Sequence, residues 1–215
     1  MSDGVFIVLE GIDGAGTTTQ AELYAKHVRE RRRIAHVTRE PSHGPIGSLI
    51  RLKLSGRLSM GGAAHAQMMA LLFAADRLDH VAHEIRPQLA DGAIVVSDRY
   101  DLSSIAYQSV TARSDGALEV RDGAFERWVR ELNRYALRPD VTILLDVDPQ
   151  EAERRRRMRH AAPELYEDES LQKRLAELYT HAEELLPDDE IIRIDGNAGV
   201  DEVATSVREA LSRYI

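Results

Sequence analysis

The chain has 215 residues, 43% of them apolar, enough to bury one sizeable core. It has no cysteine, which excludes disulfides and thiolate-bound metals and fits a reducing compartment. A formal charge of −8 excludes a general nucleic-acid-binding face, while a local cationic pocket for small anions stays open.

The first predicted element is a strand at residues 5–9, Val-Phe-Ile-Val-Leu. No basic region, apolar run and cleavage site precede it. No apolar stretch approaches the roughly 20 residues that span a bilayer. A cytoplasmic protein without membrane or nucleic-acid partners is therefore expected. Glu10-Gly11-Ile12-Asp13-Gly14-Ala15-Gly16-Thr17-Thr18-Thr19-Gln20 comes next, and its spacing of Gly11, Gly16 and Thr18 is that of a phosphate-binding loop opening a helix. Glycines let backbone N–H groups converge on a phosphate, and the helix N-terminus adds partial positive charge. Gly11, Ile12, Asp13, Gly14, Ala15, Gly16, Thr17, Thr18 and Thr19 are the expected nucleotide-binding residues, with Thr18 placed as the hydroxyl ligand of Mg²⁺. Thr17 stands where a lysine normally reaches the β- and γ-phosphates. Either another cation replaces that lysine, or the loop binds nucleotide without transferring phosphoryl.

A second strand at 34–38 runs into Arg39-Glu40-Pro41. A long helix is predicted over 63–89. Met68, Leu71, Leu72, Ala75, Leu78, Ala82, Ile85 and Leu89 recur at helical spacing as its expected core stripe, and Phe73 and Arg77, four apart, share a face off that stripe. Asp76, Asp79, His80, His83 and Glu84 read as an exposed flank of this helix rather than as metal ligands. A third strand at 93–97 runs into Asp98-Arg99-Tyr100, a fourth at 141–146 into Val147-Asp148, and a fifth at 191–194 into Asp195-Gly196. Helices are predicted over 168–186, with Leu171, Leu175, Leu178, Ala182 and Leu185 inward, and over 200–214. Nearly continuous apolar strands alternating with helices predict an α/β fold, a three-layer, five-stranded parallel sheet flanked by helices. Without an internal repeat or linker, one domain over 1–215 is the simplest organisation. Ligands of such sheets sit beyond the carboxyl ends of the strands. There the chain gathers carboxylates suited to Mg²⁺ and arginines suited to the charge on transferring phosphoryl oxygens.

With these residues assembled, the sequence resembles the thymidylate kinases, a family of P-loop nucleoside-monophosphate kinases. The resemblance rests on the phosphate loop with its acidic Asp13, on Thr38-Arg39-Glu40-Pro41, and on Leu72-Phe73-Ala74-Ala75-Asp76-Arg77. Asp98-Arg99-Tyr100 followed by Ser103-Ser104-Ile105-Ala106-Tyr107-Gln108, and Leu145-Asp146-Val147-Asp148-Pro149 before an arginine-rich helix, complete it. It implies transfer of the terminal phosphoryl of ATP to dTMP, with Mg²⁺, in a homodimer. Phe73 would stack on thymine, Arg77 and Ser104 would contact the base edge, and Tyr107 would crowd the sugar's 2′ position, with Gln108 in the same pocket. Arg99 and Arg39 would hold the 5′-phosphate, Asp13 would contact the 3′-hydroxyl, and Asp98 would join Thr18 at the metal. Asp13, Arg99 and the lid arginines Arg154, Arg155 and Arg157 are the expected catalytic residues, in a lid at about 149–167. Thr17, Ser42-His43-Gly44 and Glu164-Leu165-Tyr166-Glu167 depart from the family pattern. A kinase of another monophosphate or of a deoxynucleoside, or a nucleotide binder without transferase activity, are the alternative readings.

Overall fold

The computed structural model describes residues 4–59, 62–114, 123–158 and 169–215. Five strands form one parallel sheet: β1 (Val5–Gly11), β2 (Ala35–Arg39), β3 (Ile94–Asp98), β4 (Val141–Asp146) and β5 (Ile191–Asp195), in the order β2-β3-β1-β4-β5. All five lie where the sequence places them, within two residues at each end. β1 is central, pairing Leu9 with Asp98 on one side and with Ile143 on the other. β1 and β3 are buried almost end to end, as strands covered on both faces must be, whereas the edge strands β2 and β5 are half-buried.

Side-chain alternation builds the layers. Ile7, Leu9, Ile94 and Val96 join a cluster with Tyr24 and Val28 of α1 (Thr17–Glu30). Phe6, Val8 and Val95 alternate with them and pack with Val81, Ile85 and Tyr100. The Phe6 and Tyr100 rings meet edge to face, 5.1 Å apart. In chain order the remaining helices are α2 (Pro45–Leu54), α3 (His65–His80), α4 (Arg86–Ala90), α5 (Asp101–Ser114), α6 (Ala124–Leu132), α7 (Pro149–Met158), α8 (Glu169–Tyr179), α9 (Ala182–Leu185) and α10 (Val200–Ala210). No helix among the described residues is long and apolar enough to cross a membrane.

The helix predicted over 63–89 corresponds to α3, a π turn at Val81–Ile85 and α4, and half of its expected core stripe is wrong. Leu71 and Leu78 are 52% and 43% exposed, and Ala75 and Ala82 face solvent with them. The buried face carries Ala66, Met69, Ala70, Ala74, Asp76, Arg77 and His80. Hydrophobic periodicity misassigned this helix because its inward polar residues find partners on other segments. Asp76 accepts from the Ser42 amide at 2.7 Å, and His80 meets the Thr38 hydroxyl at 2.7 Å. Asp76 and His80 therefore do not lie on the exposed flank expected of them. The π turn then changes the helical register, so Ile85 is buried where Leu78 and Ala82 are not. The helix predicted over 168–186 divides into α8 and α9; residue 168 lies outside the described residues. Leu171, Leu175, Leu178 and Ala182 point inward as expected.

Candidate active site

The loop between β1 and α1 lies at the carboxyl end of the central strand. Gly14 and Gly16 adopt φ of 95° and 98°, in the left-handed region that glycine enters without strain. Among the described residues no side chain caps the N-terminus of α1, so its first-turn amides are left for an anion. A cleft of about 900 Å³ joins this loop to the ends of β2 and β3, bringing Asp13, Gly14, Gly16, Thr17 and Thr18 together with Arg39, Asp98 and Arg99.

Glu10 and Asp13 organise the floor of that cleft. Glu10 is fully buried and accepts from the Tyr100 and Ser103 amides at 2.9 and 3.1 Å, and from the hydroxyls of Ser103 at 2.5 Å and Tyr179 at 3.1 Å. Burial raises its carboxyl above the usual carboxylate range, and Arg99 with the Ser103 and Tyr100 bonds offsets only part of this. Asp13 takes Arg99 Nη2 at 2.7 Å on one oxygen and Gln172 Nε2 at 3.1 Å on the other, while its own amide donates to Gln172 Oε1 at 3.2 Å. Gln172 is fully buried, and both ends of its amide are used on this one residue.

Arg99 sits between the phosphate loop and the acceptor side. It also donates to Gly11 O, to Ser103 Oγ and to Tyr179 Oη, and it lies 5.6 Å from the centre of the Tyr107 ring. Burial acts to lower its guanidinium, but Tyr107, Tyr179, Asp13 and Glu10 outweigh that and keep it charged well above its ordinary value. Its backbone has φ of 79°, a left-handed conformation that costs a non-glycine residue about 1–3 kcal/mol. Burial raises the phenols of Tyr107 and Tyr179 well above their ordinary value, so both stay protonated.

Thr18 donates its hydroxyl to Asp98 Oδ2, while Asp98 Oδ1 is buried with no hydrogen-bond partner among the described residues. A hydroxyl beside an unsatisfied carboxylate oxygen at the mouth of a phosphate loop fits a hard divalent cation that keeps several waters. Phe73 is half-buried on α3, and Ser104, Tyr107 and Gln108 are buried on α5; none of the four lines the cleft itself. Arg77 is wholly buried. Nη2 meets Glu40 Oε2 at 2.5 Å and Tyr100 O and Ser104 Oγ at 3.1 Å each, Nη1 donates to Asn133, and Nε is buried without a partner among the described residues. Arg39 is exposed at the end of β2.

On α7, Arg154 and Arg155 both pair with Glu151 at 2.7 Å, and these bonds, Arg154 first, hold the Glu151 carboxyl down at about 2. Arg155 also reaches the carbonyls of Ala15 in the loop, Asn197 and Ala198, and Arg157 pairs with Glu153. Ile12, Ala15 and Thr19 keep their places in the loop and first turn. The 159–167 part of the lid, with Glu164-Leu165-Tyr166-Glu167, lies outside the described residues. Sequence reading missed Gln172, Tyr179 and Arg156, whose Nη1 donates to the Asp13 carbonyl. It named Glu10 only as a strand end.

The family model described as thymidylate kinase matches residues 9–207. A protein of Pyrobaculum aerophilum named "probable thymidylate kinase" is 40% identical over 215 residues, covering 98% of this chain and 97% of that one. Proteins of the same name from Thermococcus gammatolerans and Methanocaldococcus jannaschii are 41% and 42% identical, covering 88% and 72% of this chain and 88% and 71% of their own lengths.

Proposed function

The chain belongs to the thymidylate kinase family, and from that premise we propose that it transfers the γ-phosphoryl group of ATP to dTMP. A 5′-phosphate oxygen of dTMP attacks the γ-phosphorus and forms the new P–O bond of dTDP. The bond from the γ-phosphorus to the β,γ-bridging oxygen breaks, and its electron pair leaves on the β-phosphate of ADP. The nucleophile is already an anion, so positioning and charge neutralisation do the catalysis.

In this reading the loop amides from Gly11 to Thr18 hold the triphosphate. Asp98 and Thr18 would hold Mg²⁺, which when bound neutralises phosphate charge. Phe73 stacks on the base, Ser104 and Gln108 face its edge, and Arg77, buried behind Ser104, contributes through its hydrogen bond to that side chain. Tyr107 stands by the sugar, and Asp13 holds the 3′-hydroxyl. Arg99 and Arg39 grip the acceptor phosphate. The observation that carries the reading is Arg99, charged and held between Asp13 of the phosphate loop and Tyr107 of the acceptor wall. A homodimer and a cytoplasmic location belong to the same proposal; the solvent-facing Leu71 and Leu78 of α3 are the apolar surface for the second copy. The test is ADP release on mixing the protein with ATP, Mg²⁺ and a panel of monophosphates. Fastest turnover on dTMP is expected. Preference for dCMP or dGMP, or tight binding of both nucleotides with no ADP formed, defeats the reading.

A further inference from the structure

Residues 11–19 contain no lysine or arginine, so the loop itself supplies only amides and hydroxyls to a triphosphate. Thr17, at the usual lysine position, is buried at 5% exposure. We propose that Arg156 supplies the missing cation, its guanidinium standing at the phosphate loop where the lysine ammonium would otherwise act. This rests on the kinase reading above.

The placement follows from how α7 packs. Ala152 is fully buried, and a Cβ added to Gly14 would fall 2.3 Å from the Ala152 carbonyl oxygen. The helix backbone therefore lies directly on the loop. Arg156 is four residues further on, one turn along the same face. Its Nη1 donates to the Asp13 carbonyl, and it lines the cleft with Thr17, Thr18, Asp98 and Arg99. Arg154 and Arg155 pair with Glu151 and Arg157 with Glu153; Arg155 also reaches the Ala15 carbonyl at 3.5 Å, but spends its other donors on Glu151 and the Asn197 and Ala198 carbonyls. Side chains of Arg154 and Arg157 are also 61% and 76% exposed. Among the described residues Arg156 pairs with no carboxylate, and the Asp13 carbonyl uses one of its five N–H donors. The remaining donors suit the oxygens of a phosphate, which a guanidinium grips in pairs. As the β,γ bridge breaks, charge grows on the β-phosphate of ADP, and a cation fixed at the loop stabilises it.

The test compares wild type with Arg156→Ala, Arg156→Lys and the double variant Arg156→Ala with Thr17→Lys. Turnover is followed by ADP release, and binding by titration with a fluorescent ATP analogue and, separately, with dTMP. Arg156→Ala is expected to lower kcat by about 10²–10³-fold, the loss typical of one pre-set donor at developing charge. It should weaken binding of the ATP analogue by about tenfold, near the net strength of a charged hydrogen bond, and leave dTMP binding within about twofold. Arg156→Lys should keep more turnover than Arg156→Ala, and Thr17→Lys should restore at least about tenfold of the lost kcat. An Arg156→Ala protein with turnover and ATP-analogue affinity both within about threefold of an active wild type overturns the proposal. Equal weakening of ATP-analogue and dTMP binding does so too, since that would mark a general structural role. If Thr17→Lys does not fold, the split between the two ligands decides. A wild type that binds ATP but phosphorylates no dTMP sinks the kinase reading instead, and the titrations still judge Arg156.

Discussion

Replacing Arg77 with methionine should cost this protein more in stability than any exposed arginine could. Methionine fills much of the apolar stem's volume but removes the donors to Glu40, Asn133, Tyr100 O and Ser104. Among the described residues Glu40, whose side chain is 2% exposed, then keeps only His80 at 3.3 Å. Removing one member of a buried ion pair typically costs about 3–5 kcal/mol, because the other charge is stranded. The surviving His80 contact argues for the lower end, about 3 kcal/mol. In a chain of this length each kcal/mol lowers Tm by about 2–4 °C, so calorimetry should show a fall of about 6–12 °C. Adding Glu40→Gln to Arg77→Met removes the stranded charge. The double variant should therefore be less destabilised than the two single changes summed, with a coupling of about 1–3 kcal/mol. An Arg77→Met protein melting within about 2 °C of wild type, or a coupling near zero, would refute the claim that this pair anchors β2 to α3.

Two further predictions concern the cleft and its rim. Asp98→Asn keeps the Thr18 contact while removing the charge, so the Mg²⁺ concentration for half-maximal ADP release should rise about tenfold or more; an unshifted Mg²⁺ titration counts against the metal assignment. Burial alone would raise Glu84, but hydrogen bonds from Thr38 and His36 and the charges of His80 and His36 outweigh it, so its carboxyl lies below the ordinary 4.5. A depressed carboxyl contributes stability that is present above 4.5 and lost as pH falls through its folded-state value. Glu84→Gln should therefore flatten the decline of the urea midpoint below pH 4.5, and a variant as acid-sensitive as wild type would contradict the assigned pairing.

Where burial is purely apolar, the sequence discloses the fold. All five strands are readable because both faces of the sheet are covered, leaving unbroken runs such as Val5 to Leu9. The phosphate loop is readable because glycine spacing is local. The inner face of α3 is not, since Asp76, Arg77 and His80 look like surface residues until Glu40, Ser42 and Thr38 arrive from another strand end. Gln172 and Tyr179 lie 159 and 169 residues from the Asp13 and Glu10 they touch, a distance no spacing rule spans. Arg156 stands in a run of four arginines, and only the docking of Ala152 on Gly14 distinguishes it.

Asp13 is gripped by α7 and α8 through different chemistry. Arg156 takes its main-chain carbonyl, which every amino acid possesses, while Gln172 Nε2 and Arg99 take its carboxylate, which few could supply. The two moorings are thus only partly separable, because Gln172 also accepts from the Asp13 amide. A substitution at position 13 that spares the backbone frees Arg99 and one of the two bonds to α8, yet leaves α7 berthed. The attachment of the arginine helix then survives a change of side chain that loosens order on the acceptor side.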